Sequence, residues 1–209
     1  MHGPSAHSLY LLFTPGLCTA DPWSTLERAL SGGVDLVQWR VKHADPEGAR
    51  RCVELCRARG VPVIINDDVD LALEVGAAGA HVGQDDLDAR EARRRLGDGM
   101  WLGVSTHGKD QLVQAFEDGA DHVGFGPMNP TVTKGYAEGQ APGALREIVA
   151  LAAGRPVFAI GVIRTSNLRR VLGEGCTRIA VSSAILTAED PQRAAAELRE
   201  ALLSARTVR

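Results

Sequence analysis

Short apolar runs recur along the chain, and each gives way first to polar residues and then to a stretch with helical spacing. The first run, LYLLF at 9–13, stops at Thr14-Pro15-Gly16, as a buried strand does. Asp21-Pro22 then opens a helix reaching Leu30 and closed by Gly32-Gly33, with an acidic cap and a proline in the first turn. The alternation continues with strands at 34–39, 63–65, 80–82, 101–105, 122–125, 156–160 and 177–181. Between and after them, helices are predicted at 46–59, 69–77, 88–96, 109–117, 144–152, 166–172 and 191–204. The segment 126–143 is a long connection rich in Gly, Pro and Thr.

The strands are apolar throughout rather than alternating, which is the pattern of a parallel sheet covered on its outer face. Eight strand-helix units close a (β/α)8 TIM barrel of the α/β class. A doubly wound open sheet is the alternative, and it would usually carry a glycine-rich dinucleotide turn after the first strand. Thr14-Pro15-Gly16-Leu17 is not such a turn. The expected organisation is one barrel domain over 8–205 with flexible termini at 1–7 and 206–209. No tandem self-similarity points to a solenoid.

Composition narrows the class without choosing it. With 209 residues, 44% of them hydrophobic, the chain can bury one sizeable core. The 23 basic side chains nearly balance 26 acidic ones, so there is no global attraction to nucleic acid or an anionic membrane. No run has the length of a membrane span, and the expectation is a cytoplasmic protein acting on small molecules, with homo-oligomerisation left open. Cys18, Cys52, Cys56 and Cys176 do not make a secreted disulfide framework; Cys52 and Cys56 share a helix face and read as core. Arg90, Arg93, Arg94 and Arg95, set among acids on one helix, read as a solvated face rather than a nucleic-acid stripe.

The chemistry is sought at strand C-termini, because in such barrels reactive groups lie on the loops that follow the strands. The stretch 63–87 is a strand-helix-strand unit whose two strands end in Asn66-Asp67-Asp68 and Gly83-Gln84-Asp85-Asp86. Parallel strands bring Asp67 and Asp86 to one mouth, where two carboxylates repel unless one is protonated or a cation lies between them. Mg2+ accepts one or two carboxylates and completes its shell with water and phosphate oxygens. The plainer reading is that these acids are helix N-caps.

The other strand ends carry Gln38, Arg40 and Lys42, which period-2 alternation sends to one side, then Ser105, Thr106 and His107, then Thr131, Thr133 and Lys134. Gly161 and the pair Ser182-Ser183 close the series on the seventh and eighth strands. Three cations with Mg2+ describe a site for a pyrophosphate-like polyanion. Gly161 with Ser182 and Ser183 suggests a second anion site on loops seven and eight, although a serine pair is ordinarily a cap. His107 and His122 read as structural, His122 at the far end of the barrel from this mouth.

The segments VQWRVK (37–42), IIND (64–67), HVGQDDL (81–87), GVSTH (103–107), GFGPMNPTVTK (124–134), FAIG (158–161) and AVSSAI (180–185) together resemble the thiamine phosphate synthase family. The resemblance implies a TIM-barrel transferase joining hydroxymethylpyrimidine diphosphate to a thiazole phosphate with release of pyrophosphate. It implies Mg2+ on Asp67 and Asp86, and the pyrimidine diphosphate on Gln38, Arg40, Lys42, Asn66, Ser105 and Lys134. It assigns Thr131 and Thr133 to the thiazole phosphate, with Gly161, Ser182 and Ser183 at its phosphate end; Arg40, Lys42, Lys134 and Ser105 are the expected catalytic groups. The chain departs from the family pattern at Asn129, where an aromatic residue is usual, at Val162, where a second glycine is usual, and at the bulky Trp39. Two rivals remain: a thiazole tautomerase-like isomerase, and a non-catalytic phosphometabolite-binding barrel.

Overall fold

The computed structural model describes residues 3–130 and 138–207. Strands β1 (Leu9–Phe13), β2 (Leu36–Trp39), β3 (Val63–Asn66), β4 (Gly79–Val82), β5 (Trp101–Thr106), β6 (His122–Phe125), β7 (Val157–Ile160) and β8 (Ile179–Val181) pair in chain order, and β8 returns to β1 to close the barrel. Every pairing is parallel, with Leu9 opposite Ile179 at the closing seam. The expected TIM barrel is therefore the fold.

Helices α1 (Pro22–Ser31), α2 (Pro46–Arg57), α3 (Val69–Glu74), α4 (Ala89–Leu96), α5 (Lys109–Glu117), α6 (Ala144–Leu151), α7 (Leu168–Gly173), α8 (Ser183–Leu186) and α9 (Pro191–Thr207) lie outside the sheet. Asp21, Asp45, Asp68 and Asp88 cap α1 to α4 by accepting backbone N–H groups of the first turn, which ends each loop where the sequence places an aspartate. The four residues of α8 are too few to show a helical period in the sequence.

Both faces of every strand are covered, which is why no strand alternates polar with apolar. Leu9, Leu11, Phe13, Val37, Trp39, Val63, Ile65, Val157 and Ala159 belong to the thick core between sheet and helices. The intervening Tyr10, Leu12, Leu36, Ile64, Phe158 and Ala180 form a smaller cluster inside the barrel. Trp39 points to the helix layer, stacked on Trp23 at 5.9 Å between ring centroids and beside Phe13 at 5.8 Å. Gly48 in α2 makes room for it, since a Cβ there would lie 2.7 Å from the indole.

The four cysteines are free, with Cys52 and Cys56 in the outer core as expected. The arginines of α4 are spent on surface ion pairs: Arg90 with Asp118, Arg93 with Asp121, Arg94 with Glu91, and Arg95 with Asp70. Among the described residues, no helix is long and apolar enough to cross a membrane.

Candidate active site

A cavity of about 300 Å3 opens at the C-terminal mouth of the barrel. Gln38, Arg40, Asn66 and Ser105 line it from β2, β3 and β5, and Gly161, Ser182 and Ser183 line it from the ends of β7 and β8. Seven of the expected binding residues thus share one cavity. Lys42 and Asp67 face a neighbouring recess of about 190 Å3, which Asn66 also lines. The alternation expected to carry Lys42 alongside Arg40 does not extend that far, because β2 ends at Trp39 and the backbone turns after it. Thr131, Thr133 and Lys134 lie outside the described residues.

Inside the barrel the side chains hold one another in place. Gln38 is buried and donates from Nε2 to the Tyr10 hydroxyl at 3.0 Å. Burial raises the Tyr10 pKa, with the Gln38 bond opposing, so the phenol stays neutral. Ser105 is gripped twice: its Oγ lies 3.0 Å from His81 Nε2, and its carbonyl accepts from Gln84 Nε2 at 2.6 Å. His81 sits within an apolar run, so the linear pattern does not mark it as a site residue. Its inward register, opposite Asn66 and Gly103, is fixed only by the pairing of the folded sheet.

Gly103 leaves space for two imidazoles, since a Cβ there would come 2.3 Å from His81 Nδ1 and 2.4 Å from His122 Nε2. His122 is the first residue of β6 and does not line the mouth cavity. It is fully buried in the interior at the level of Gly103, with ring contacts to Tyr10, His81 and Phe158. Desolvation, and then the charge of His7, lower its pKa to about 3, so it is neutral at ordinary pH. His107 lines the cavity, with Nδ1 2.6 Å from the Gly126 carbonyl oxygen.

The two strand-end acids are not helix caps. Asp68, not Asp67, accepts the Leu71 N–H, and Asp88, not Asp86, accepts those of Arg90 and Glu91. Asp67 takes a left-handed backbone (φ 62°), which an aspartate tolerates better than most residues, and its carboxylate accepts from Asn66 Nδ2. Asp86 folds back to accept the Gly83 N–H at 2.8 Å. Among the described residues no group of three or more His, Cys, Asp or Glu could form an all-protein metal cage. Asp67 and Asp86 follow the adjacent strands β3 and β4 and offer carboxylate oxygens, the donor type that Mg2+ accepts alongside water and phosphate oxygens; Asp67 lines the smaller recess and Asp86 lines neither cavity. Arg40 and Lys42, unlike the arginines of α4, have no carboxylate partner among the described residues.

Ser182 stands at the N-cap position of α8, yet its side chain makes no cap bond; it donates instead to the Leu12 carbonyl at 3.0 Å. Gly161 has φ 112° and is pressed against the loop after β6, where a Cβ would lie 2.7 Å from Met128 N and Pro127 Cα. Only glycine suits that position.

Comparison with known proteins identifies the family. The sequence profile of the family described as thiamine monophosphate synthase matches residues 9–185. The thiamine-phosphate synthase of Geobacillus kaustophilus is 47% identical over 190 residues, covering 87% of this chain and 86% of that protein. That of Thermus thermophilus is 43% identical over 200 residues, covering 93% and 96%. A solved structure of thiamine phosphate pyrophosphorylase from Pyrococcus furiosus superposes with a TM-score of 0.85 at 31% identity, covering 95% of this chain and 96% of that one.

Proposed function

The chain belongs to the thiamine monophosphate synthase family and is a transferase, and from that premise we propose that it joins hydroxymethylpyrimidine diphosphate to a thiazole phosphate with release of pyrophosphate. One observation carries this reading: a single cavity bordered on one side by Gln38, Arg40, Asn66 and Ser105 and on the other by Gly161, Ser182 and Ser183. A mouth with polar groups on two sides suits two substrates held together, which removes the entropy cost of their encounter.

In the proposed reaction the carbon–oxygen bond between the pyrimidine methylene and the diphosphate breaks first, and its electron pair leaves with pyrophosphate. The thiazole ring nitrogen then donates its lone pair to the methylene carbon. No proton need be moved, so no general base is required. Arg40 and Lys42, joined by Lys134 from outside the described residues, bind the leaving group more strongly as its charge grows, and this lowers the barrier. Asp67 and Asp86 would hold Mg2+, which when bound neutralises part of the diphosphate charge. Asn66 orients the Asp67 carboxylate through its amide. Gln38 and Ser105, fixed by Tyr10 and by His81 and Gln84, hold the pyrimidine. Thr131 and Thr133 are assigned to the thiazole phosphate by family resemblance.

The test is direct: mix both substrates with Mg2+ and follow pyrophosphate release. Turnover only with both substrates present is expected, and no release above the blank would overturn the proposal. Binding of pyrophosphate that depends on Mg2+ and is lost in Asp67→Ala separates this reading from an isomerase that handles the thiazole phosphate alone.

A further inference from the structure

The loop after β7 holds a valine in a conformation that side chains branched at Cβ rarely adopt. Gly161 and Val162 follow one another with φ of 112° and 47°. Such a turn persists only where its surroundings over-determine it. Asn129, on the loop after β6, supplies that constraint. Its Nδ2 donates to the carbonyl of Gly161 at 3.0 Å and to that of Val162 at 3.3 Å. Two carbonyl oxygens can be satisfied only by a donor, so the nitrogen end of the amide must face them. Asn167 grips the Val162 carbonyl as well, with Nδ2 at 2.8 Å, while its Oδ1 accepts the Arg164 N–H at 2.8 Å. The Met128 N–H, donated to the Ile160 carbonyl at 2.8 Å, ties the two loops together just below.

In a trans peptide the C=O and N–H point in opposite directions. Drawing the carbonyls of Gly161 and Val162 onto Asn129 and Asn167 therefore turns the N–H groups of Val162 and Ile163 away from those side chains. Neither N–H has an acceptor among the described residues. Gly161, Val162 and Ile163 line the cavity together with Ser182 and Ser183.

We propose that Asn129 is a positioning residue that locks the 161–163 backbone so that its free amides meet the phosphate of the second substrate. It does for Val162 what a glycine would otherwise do by itself. The inference rests on the proposed function for the identity of that substrate, but the amide cradle can be read with inorganic phosphate alone.

The experiment compares wild type, Asn129→Ala and Asn129→Asp, each also in a Val162→Gly background. Phosphate affinity is measured by calorimetry, and KM for each substrate by pyrophosphate release. Asn129→Ala is expected to weaken phosphate binding and raise the thiazole phosphate KM by roughly ten-fold, leaving kcat and the pyrimidine diphosphate KM near wild type. Asn129→Asp sets a carboxylate against two carbonyls and should do at least as much harm. With Val162→Gly the Asn129→Ala effect should shrink to about two- or three-fold, because glycine keeps a positive φ unaided. Should Asn129→Ala fail to fold, Asn167→Ala reads the same Val162 carbonyl from its other side. Unchanged phosphate affinity in folded Asn129→Ala, an equal penalty in both backgrounds, or no phosphate binding by wild type would overturn the proposal. A wild type that binds phosphate without turning over overturns the proposed function instead.

Discussion

The Tyr10 hydroxyl lies 3.0 Å from the Gln38 amide nitrogen, so a residue of the first strand holds a proposed binding residue of the second from inside the barrel. Removing the phenol oxygen leaves a buried amide N–H without its partner, which costs about 1–3 kcal/mol. Tyr10→Phe is therefore expected to lower the midpoint of urea unfolding and to raise the KM for the pyrimidine diphosphate more than that for the thiazole phosphate. Equal changes in both KM values would disconnect Gln38 from the pyrimidine side.

Adjacent aspartates at the end of β3 should separate stability from activity. Asp68→Ala removes the α3 cap and should cost about 1 kcal/mol of stability, with activity largely kept. Asp67→Asn keeps a residue that tolerates the left-handed backbone while removing the charge. Its thermal midpoint should stay near wild type while Mg2+-dependent turnover falls by at least 100-fold, on the order of 3 kcal/mol of transition-state stabilisation. Activity retained by Asp67→Asn at ordinary Mg2+ concentrations would refute the metal assignment.

His122 makes stability depend on acid. Its folded pKa is about 3 against an ordinary 6.5, so the unfolded chain binds the extra proton between those values. The contribution is complete above about pH 6.5 and is lost as pH falls toward 3, at about 1.4 kcal/mol per pH unit. Tyr10, His81, Phe158 and His7 are the groups around it. Chemical denaturation at pH 7, 6, 5 and 4 should show this slope in wild type and a shallower one in His122→Leu. Parallel slopes would show that carboxylates elsewhere account for the acid sensitivity.

A methyl group at Gly103 probes the same layer by crowding. Its Cβ would meet both His81 and His122, so Gly103→Ala should cost about 1–3 kcal/mol from overpacking. Displacing His81 also loosens Ser105, and kcat should fall with it. Wild-type turnover in a folded Gly103→Ala protein would remove His81 from the positioning of Ser105.

The eight-unit order was legible in the chain because it is local: apolar runs of strand length, aspartate caps and closing glycines are read within a dozen residues. The same logic gathers most of the candidate residues at one mouth, since strand C-ends converge in a barrel whatever lies between them; Gln38, Arg40, Asn66, Ser105, Gly161, Ser182 and Ser183 all reach one cavity. What the linear order could not decide is which side chains meet across the interior. His81 against Ser105, Tyr10 against Gln38, and Asn129 against the carbonyls of Gly161 and Val162 join residues 24, 28, 32 and 33 positions apart. Those contacts follow from register and closure, because the side chains that enter the interior at one level are fixed only when the last strand has paired with the first.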